Sequence, residues 1–212
     1  MASSDWIAKI LMEDERDGLS AKALDGHFVS VERETLDPTL IAVLSIPHVK
    51  HSDVAPLTGV HDELSFLVNI PSSGMWDGEA IETLAAHGAA FGGVGDLRRA
   101  ITMKYPGDYV FKEYEYVERR LRQHRAVNGV SRIYDRVWRV HRKAGDTLSV
   151  AISDKYDLTA DEVRTLYDRY GHFDVLFHTN NMGRIVAKAV DVGTELGIDL
   201  ISSKDLFDRL GR

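Results

Sequence analysis

The hydrophobic pattern from Leu148 to Leu210 reads as strand, helix, strand, helix, strand, helix, with little chain left over. Thr147–Ser153 and Phe173–His178 carry nearly unbroken apolar runs, as strands buried on both faces require, and Ile198–Ile201 is a shorter run of the same kind. Between them Ala160–Tyr170 and Ile185–Leu196 have helical periodicity. Thr159 is placed to cap the first of these, with Glu162 three residues on as in a capping box. Gly197 ends the second, and Ser203 caps a last helix. Upstream, Tyr114–Arg125 predicts a leading helix, and Arg132–Lys143 forms a β-hairpin with Thr147–Ser153, turning at Ala144-Gly145-Asp146.

The first half of the chain repeats this order. Ser4 or Asp5 caps a helix with Trp6, Ile7, Ile10 and Leu11 on one face, ended by Asp14 to Asp17 and Gly18. His27–Arg33 alternates like a half-buried strand, Asp37-Pro38 makes a turn, and Leu40–Ile46 is an interior strand. A short helix from Ser52 or Asp53 carries Val54 and Leu57; Leu64–Ile70 is a second interior strand, ending at the loop Pro71-Ser72-Ser73-Gly74. Glu79–His87 is a helix, Ala89–Gly92 a strand and Asp96–Ile101 a helix. At a constant offset of 109 residues, with no gap, Val31 matches Val140, Arg33 Arg142, Asp37 Asp146 and Ala42 Ala151. Val54 matches Val163, Leu57 Leu166, Leu67 Leu176, Gly74 Gly183, Ala80 Ala189, Gly88 Gly197, Asp96 Asp205 and Leu97 Leu206. The expectation is an α/β chain of two similar units, each a helix, a β-hairpin and then α-β-α-β-α, related by internal duplication and packed as a pseudo-dimer. The units span residues 1–103 and 114–212. The aromatic-rich connection 104–113 (Tyr105, Tyr109, Phe111) is expected to pack across the join rather than float as a tether.

Composition narrows the class. The 212 residues are 44% hydrophobic, ample for a core, and contain no cysteine, which removes disulfides and thiolate metal sites. No apolar run approaches a membrane span, and acidic residues follow the short N-terminal apolar run, so an unprocessed cytoplasmic protein with no membrane partner is expected. The net charge of −7 is unevenly spread. Met1–Pro106 holds eight Lys and Arg against sixteen Asp and Glu; Gly107–Arg212 holds eighteen against seventeen. Nine basic residues fall between Arg119 and Lys143, with Asp135 the single acid.

The tail from Val175 to Leu210 carries a resemblance. A strand ending His178-Thr179-Asn180, a helix with Ala189, then Leu196-Gly197-Ile198-Asp199-Leu200-Ile201 and Asp205-Leu206 resembles the closing part of Mrr-type restriction endonuclease domains. These belong to the PD-(D/E)XK nuclease-like superfamily. The resemblance implies an acid on the first hairpin strand and an acid-x-lysine pair on the next strand, holding Mg²⁺ that activates water at a phosphodiester. Asp135, Asp154 and Lys155 would be the catalytic residues and Asp135 and Asp154 the metal ligands. Ser153, however, stands where the paired acid belongs, so the implied nuclease is degenerate. The first unit has Leu44-Ser45-Ile46 there and is non-catalytic.

A nucleic-acid partner, DNA or RNA, would be held by Arg119, Arg122, Arg136 and Arg142, with Trp138 sharing a strand face with Arg136 and Arg142. The bland alternative pairs the basic zone with the acidic first half. His48 and His51 have a zinc-like spacing but read as an ordinary loop, and the glycines from Gly88 to Gly95 lack dinucleotide-fingerprint spacing. The loops after the central strands (Asn69, Ser72, Ser73, Gly74; Asn180, Asn181, Gly183) are placed for a small ligand or for turn chemistry. The competing function is therefore a non-catalytic protein-interaction or ligand-sensing module.

Overall fold

The computed structural model describes residues 3–13, 18–203 and 205–211. The chain divides into two compact units, Met1–Val110 and Phe111–Arg212. The boundary lies inside the segment read as a connection. Tyr109 packs against Phe66 of the first unit, and Phe111 against Tyr114 of the second.

The first unit opens with α1 (Ser3–Met12), which buries Ile7, Ala8 and Leu11 and leaves Trp6 39% exposed, so Trp6 is not on the core face expected of it. Asp14 to Asp17, read as the end of this helix, lie outside the described residues. Strands β1 (Leu19–Ala23), β2 (Phe28–Arg33) and β3 (Leu36–Leu44) form an antiparallel meander. The turn falls at Glu34–Thr35, not at Asp37-Pro38. Pro38 instead sits in β3 beside a register shift in its pairing with β2, where a missing N–H disturbs no regular ladder.

After the short β4 (His48–Val49) and α2 (His51–Val60), β5 (Leu64–Asn69) pairs parallel to β3. Then β6 (Met75–Trp76) pairs with β4, α3 (Gly78–His87) crosses over, and β7 (Ala90–Gly92) pairs parallel to β5. The unit closes with α4 (Val94–Ala100) and a 3₁₀ turn, Pro106–Asp108. The sheet order is β1-β2-β3-β5-β7. Its alternating side chains feed two cores: Ile41, Val43, Phe66 and Val68 face α1 and α4, while Ala42, Leu44 and Leu67 face α2 and α3.

The second unit has the same layout. Helix α5 (Lys112–Arg122) leads into β8 (Val127–Tyr134), β9 (Val137–Arg142) and β10 (Leu148–Ser153). Next come β11 (Asp157–Leu158), α6 (Ala160–Tyr170), β12 (Val175–His178), β13 (Arg184–Ile185), α7 (Ala187–Leu196), β14 (Asp199–Ile201) and α8 (Leu206–Gly211). The sheet order, β8-β9-β10-β12-β14, and the side pairing β11-β13 match those of the first unit. The likeness extends to register: Ile41 faces Phe66 and Val150 faces Val175; His48 faces Met75 and Asp157 faces Arg184. All four pairs are related by 109 residues.

Two features fix these connections. Helices α3 and α7 both end on a left-handed glycine, Gly88 (φ 80°) and Gly197 (φ 70°), whose N–H closes the last turn. Gly183 sits against the backbone carbonyl of Tyr156, where any Cβ would overlap it. Gly183→Ala should therefore cost the second unit about 1–3 kcal/mol. Gly129→Ala, which meets only ordinary contacts, should change it much less. Urea denaturation followed by tryptophan fluorescence distinguishes the two.

Candidate functional site

Polar groups in the second unit collect where β10 and β12 end, next to the turn into β9 and the first turn of α5. Ser153 and His178, the last residues of their strands, are buried. His178 Nε2 lies 2.7 Å from the Lys155 carbonyl. In the first unit Asn69 holds the equivalent loop, donating to the Ile46 carbonyl (2.9 Å) and accepting from the Ile46 N–H (3.1 Å). A polar residue thus anchors the loop beyond the central strand in both units.

The second unit adds charge to this frame. Arg136 Nη1 is 3.4 Å from Glu113 Oε2 and 3.4 Å from Asp154 Oδ1. Thr179 Oγ1 donates to Glu113 Oε1 at 2.6 Å, and Asn180 Nδ2 donates to the Asp154 carbonyl. Glu113 and Arg136 are largely buried, and Asp154 is half-exposed. Burial opposes the charged guanidinium, but Tyr114, Glu113, Asp154 and Asp135 around it outweigh that, holding its pKa above that of a free arginine. Arg136 is a fixed cation between two carboxylates.

Behind it lies a second polar layer. Asp135 is buried, accepts from the Tyr170 hydroxyl at 3.2 and 3.1 Å, and is 3.8 Å from Arg169. Burial, and next the Asp135 charge, raise the Tyr170 hydroxyl pKa. Arg132 pairs with Glu118 (3.2 Å), donates to the Asp135 carbonyl (2.9 Å) and lies over the Tyr114 and Trp138 rings at 5.0 and 4.6 Å.

The sequence-derived residues fall as follows. Asp135 is in the turn between β8 and β9, not on a hairpin strand, because β8 continues to Tyr134 and β9 starts only at Val137. Its carboxylate is turned to Tyr170 and Arg169, whereas Asp154 is turned to Arg136. The two expected metal ligands therefore have different partners. Asp154 and Lys155 follow the last residue of β10, and Lys155 is exposed. Ser153 Oγ contacts Glu162 Oε1 at 3.2 Å, so Glu162 is drawn to the strand end while Thr159 caps α6. Among the described residues no three His, Cys, Asp or Glu side chains converge as metal ligands. Asp154, the exposed carboxylate, and Glu113, the buried one, already share the Arg136 guanidinium.

The basic zone is not one surface. Trp138 is wholly buried in the core beside Val140 and Leu121, and so is not an exposed platform between Arg136 and Arg142. Arg142 Nε donates to the backbone carbonyl of Asp146 (2.7 Å), as Arg33 Nε does to that of Asp37 (3.1 Å), which gives the matched arginines the same role in both units. Arg122 pairs with Glu118. Arg119 is exposed on α5, while Arg139 and His141 are exposed on the sheet face opposite α5. The acids that meet Arg122, Arg132 and Arg136 are Glu113, Glu118 and Asp154, all in the second unit itself.

In the first unit the positions of Glu113, Arg136 and Asp154 are taken by Ser4, His27 and Ser45, which supply no carboxylate. His48 Nε2 bonds Asp77 Oδ1 and His51 Nδ1 bonds Thr83 Oγ1, so the histidine pair is spent on separate partners. Glu113, Thr179, Glu118 and Tyr170 escaped sequence reading. Their one signal was an acid in the first turn of the leading helix, which a helix dipole also explains. No family model matches the chain, and it has no match among curated proteins or solved structures.

Glu113 and Glu118 titrate in opposite directions. Burial raises the Glu113 carboxyl above the ordinary 4.5, more than Arg136 and Thr179 lower it. Burial also pushes Glu118 up, but hydrogen bonding to Arg122 and the charge of Arg132 prevail and hold it below 4.5. A raised carboxyl binds its proton more tightly in the folded state, so its contribution declines as pH rises through the folded pKa. A depressed one contributes above its unfolded pKa and loses that contribution as pH falls through the folded value. Glu113→Gln should remove a decline in stability on the side above 4.5. Glu118→Gln should flatten the acid limb below 4.5. Chemical denaturation across this range checks the signs; the same sign for both variants would refute the assignment.

Proposed function

We propose that the chain is a nucleic-acid-associated protein on a duplicated nuclease-like fold whose second unit binds without cleaving. The observation that carries the non-cleaving part is Arg136, seated between Glu113 and Asp154 where a hydrolytic site of the implied kind would hold a divalent cation. The nuclease-like part is supported by the resemblance of residues 175–210, by the hairpin running directly into a parallel strand and helix, and by polar groups gathered at the carboxyl ends of β10 and β12. Duplication is supported by matching sheet orders and by pairings that repeat at 109 residues. A pseudo-dimer of these units is part of the same reading.

On this reading a nucleic-acid backbone would meet the exposed cations, led by Arg119 and helped by the half-exposed Arg122. Mg²⁺ would enter only if Arg136 were withdrawn from the carboxylates. The second reading, a non-catalytic protein-interaction module, is favoured by the internal pairing of Arg132, Arg136 and Arg142.

Fluorescence-anisotropy titration with single- and double-stranded DNA and RNA, with and without Mg²⁺ or Mn²⁺, tests this. Saturable binding should weaken with salt, and Arg119→Ala with Arg122→Ala should reduce the log–log salt slope by about 1–2. No strand should be cut. Cleavage lost in Glu113→Gln and Asp154→Asn would replace the reading with a metal nuclease, and indifference to every nucleic acid at low salt would leave the interaction module.

A further inference from the structure

Strand β9 turns its odd-numbered residues to the sheet face opposite α5, and beyond the buried Val137 these are Arg139, His141 and Lys143, all exposed. Lys143 follows the last residue of β9 but stays in the ladder, since its N–H donates to the Ala126 carbonyl at 2.8 Å. At roughly 3.3 Å per residue the three side chains make a row about 13 Å long. The His141 ring is held by Thr147, with Nδ1 3.2 Å from Oγ1. Arg125, the residue before Ala126, adds an exposed cation at the Lys143 end. No ion pair holds Arg125, Arg139 or Lys143 among the described residues. Small residues flank the row: Gly129 and Ser131 on β8 lie opposite His141 and Arg139, and Ser149 on β10 lies opposite Arg139.

The first unit has the same row with the opposite charge. At the 109-residue offset Arg139, His141 and Lys143 become Ser30, Glu32 and Glu34. Glu32 and Glu34 are exposed, and the Glu34 N–H donates to the Gly18 carbonyl at 2.8 Å, as the Lys143 N–H does to Ala126. Hydration of such a face is served by either sign of charge. Unpaired cations on one unit, in a chain of net charge −7, instead make that face complementary to a polyanion. Two acids lie on neighbouring segments. Asp174 accepts from the Ser149 N–H and hydroxyl, each at 2.7 Å, and Asp146 is in the turn from β9 to β10.

Resting on the nucleic-acid reading above, we infer that this face of β8, β9 and β10 binds the phosphodiester backbone of a single strand laid along β9. Arg139 and Lys143 meet phosphates, and His141, its Nδ1 turned to Thr147, presents Nε2 between them. The flanking Gly129, Ser131 and Ser149 are too short to enter a duplex groove, about 8.5 Å deep on the major side, so this face reads no base edges of a duplex. The row is separate from Arg119 and Arg122, which belong to α5 on the other side of the sheet.

The probe is a fluorescein-labelled oligothymidylate of about 20 nucleotides, longer than a site of this kind covers, titrated by anisotropy with the full chain over a range of salt. Arg139→Ala with Lys143→Ala should weaken binding and lower the log–log salt slope by about 1.4, two contacts at about 0.7 each. Arg139→Lys with Lys143→Arg should keep the slope, which separates loss of charge from damage to the fold. Annealed to oligoadenylate, the same probe should bind more weakly. Single-strand binding that keeps its full slope in the alanine variant, or a duplex bound as tightly as the strand, overturns this assignment and leaves the nucleic-acid reading standing. A parent chain that binds neither probe at low salt overturns both.

Discussion

The parallel strand pairs at the centre of each sheet are buried on both faces, and most other features follow from that constraint. Ile41, Ala42 and Val43 beside Phe66, Leu67 and Val68 have no solvent access, and neither do Val150, Ala151 and Ile152 beside Leu176 and Phe177. A polar side chain in the middle of these strands would lose its hydration with no partner to replace it, at a cost of a few kcal/mol. Polarity is thereby driven to the strand ends. Asn69, Ser153 and His178 occupy them, each bonded to a neighbouring loop or helix residue. Polar groups therefore gather at strand ends, as Ser149 and Asp174 do at the amino ends of β10 and β12 and the Arg136 cluster does beyond the carboxyl ends.

At that place the two units made different choices on one frame. The first has small or neutral groups, Ser4 and Ser45, with His27 bonded to the Val43 carbonyl. The second brings in Glu113, and a carboxylate with so little exposure needs a counter-charge or a proton. Arg136 supplies the first, and the raised Glu113 pKa records how incomplete the compensation is. Arg132 makes a similar bargain with Glu118, lying over Tyr114 and Trp138, and burial lowers its pKa. Such pairs contribute little net stability but penalise any rearrangement that separates them. The geometry of the polar layer is accordingly specified, whatever it binds.

The buried strands and the helices between them were legible because their periodicity is strong and their caps are conventional, as at Thr159, Gly88 and Gly197. The edge strands β1 and β8 were not, since Leu19–Ala23 is only half-buried and Val127–Tyr134 mixes buried with part-exposed positions. The two-residue pairings β4-β6 and β11-β13 are too short to leave any period at all. Trp138 looked like a surface aromatic because its face was read from Arg136 and Arg142 as solvated, whereas Val140 on the same face is in the core. With β9 beginning at Val137, Trp138 points into the core and Arg139 away from it. The polar cluster was half-visible: Asp135, Arg136 and Asp154 stood out, but Glu113 and Thr179 lie 66 residues apart and meet only through the fold.

The constant offset keeps corresponding elements of the two units in step, although single turns differ in length: two residues separate β2 from β3 and five separate β9 from β10. Their side chains differ in net charge: an acidic unit is joined to one that is close to neutral. A chain of this kind is polarised along its own sequence. On a positively charged surface the first unit would carry nearly all of the attraction and the second almost none.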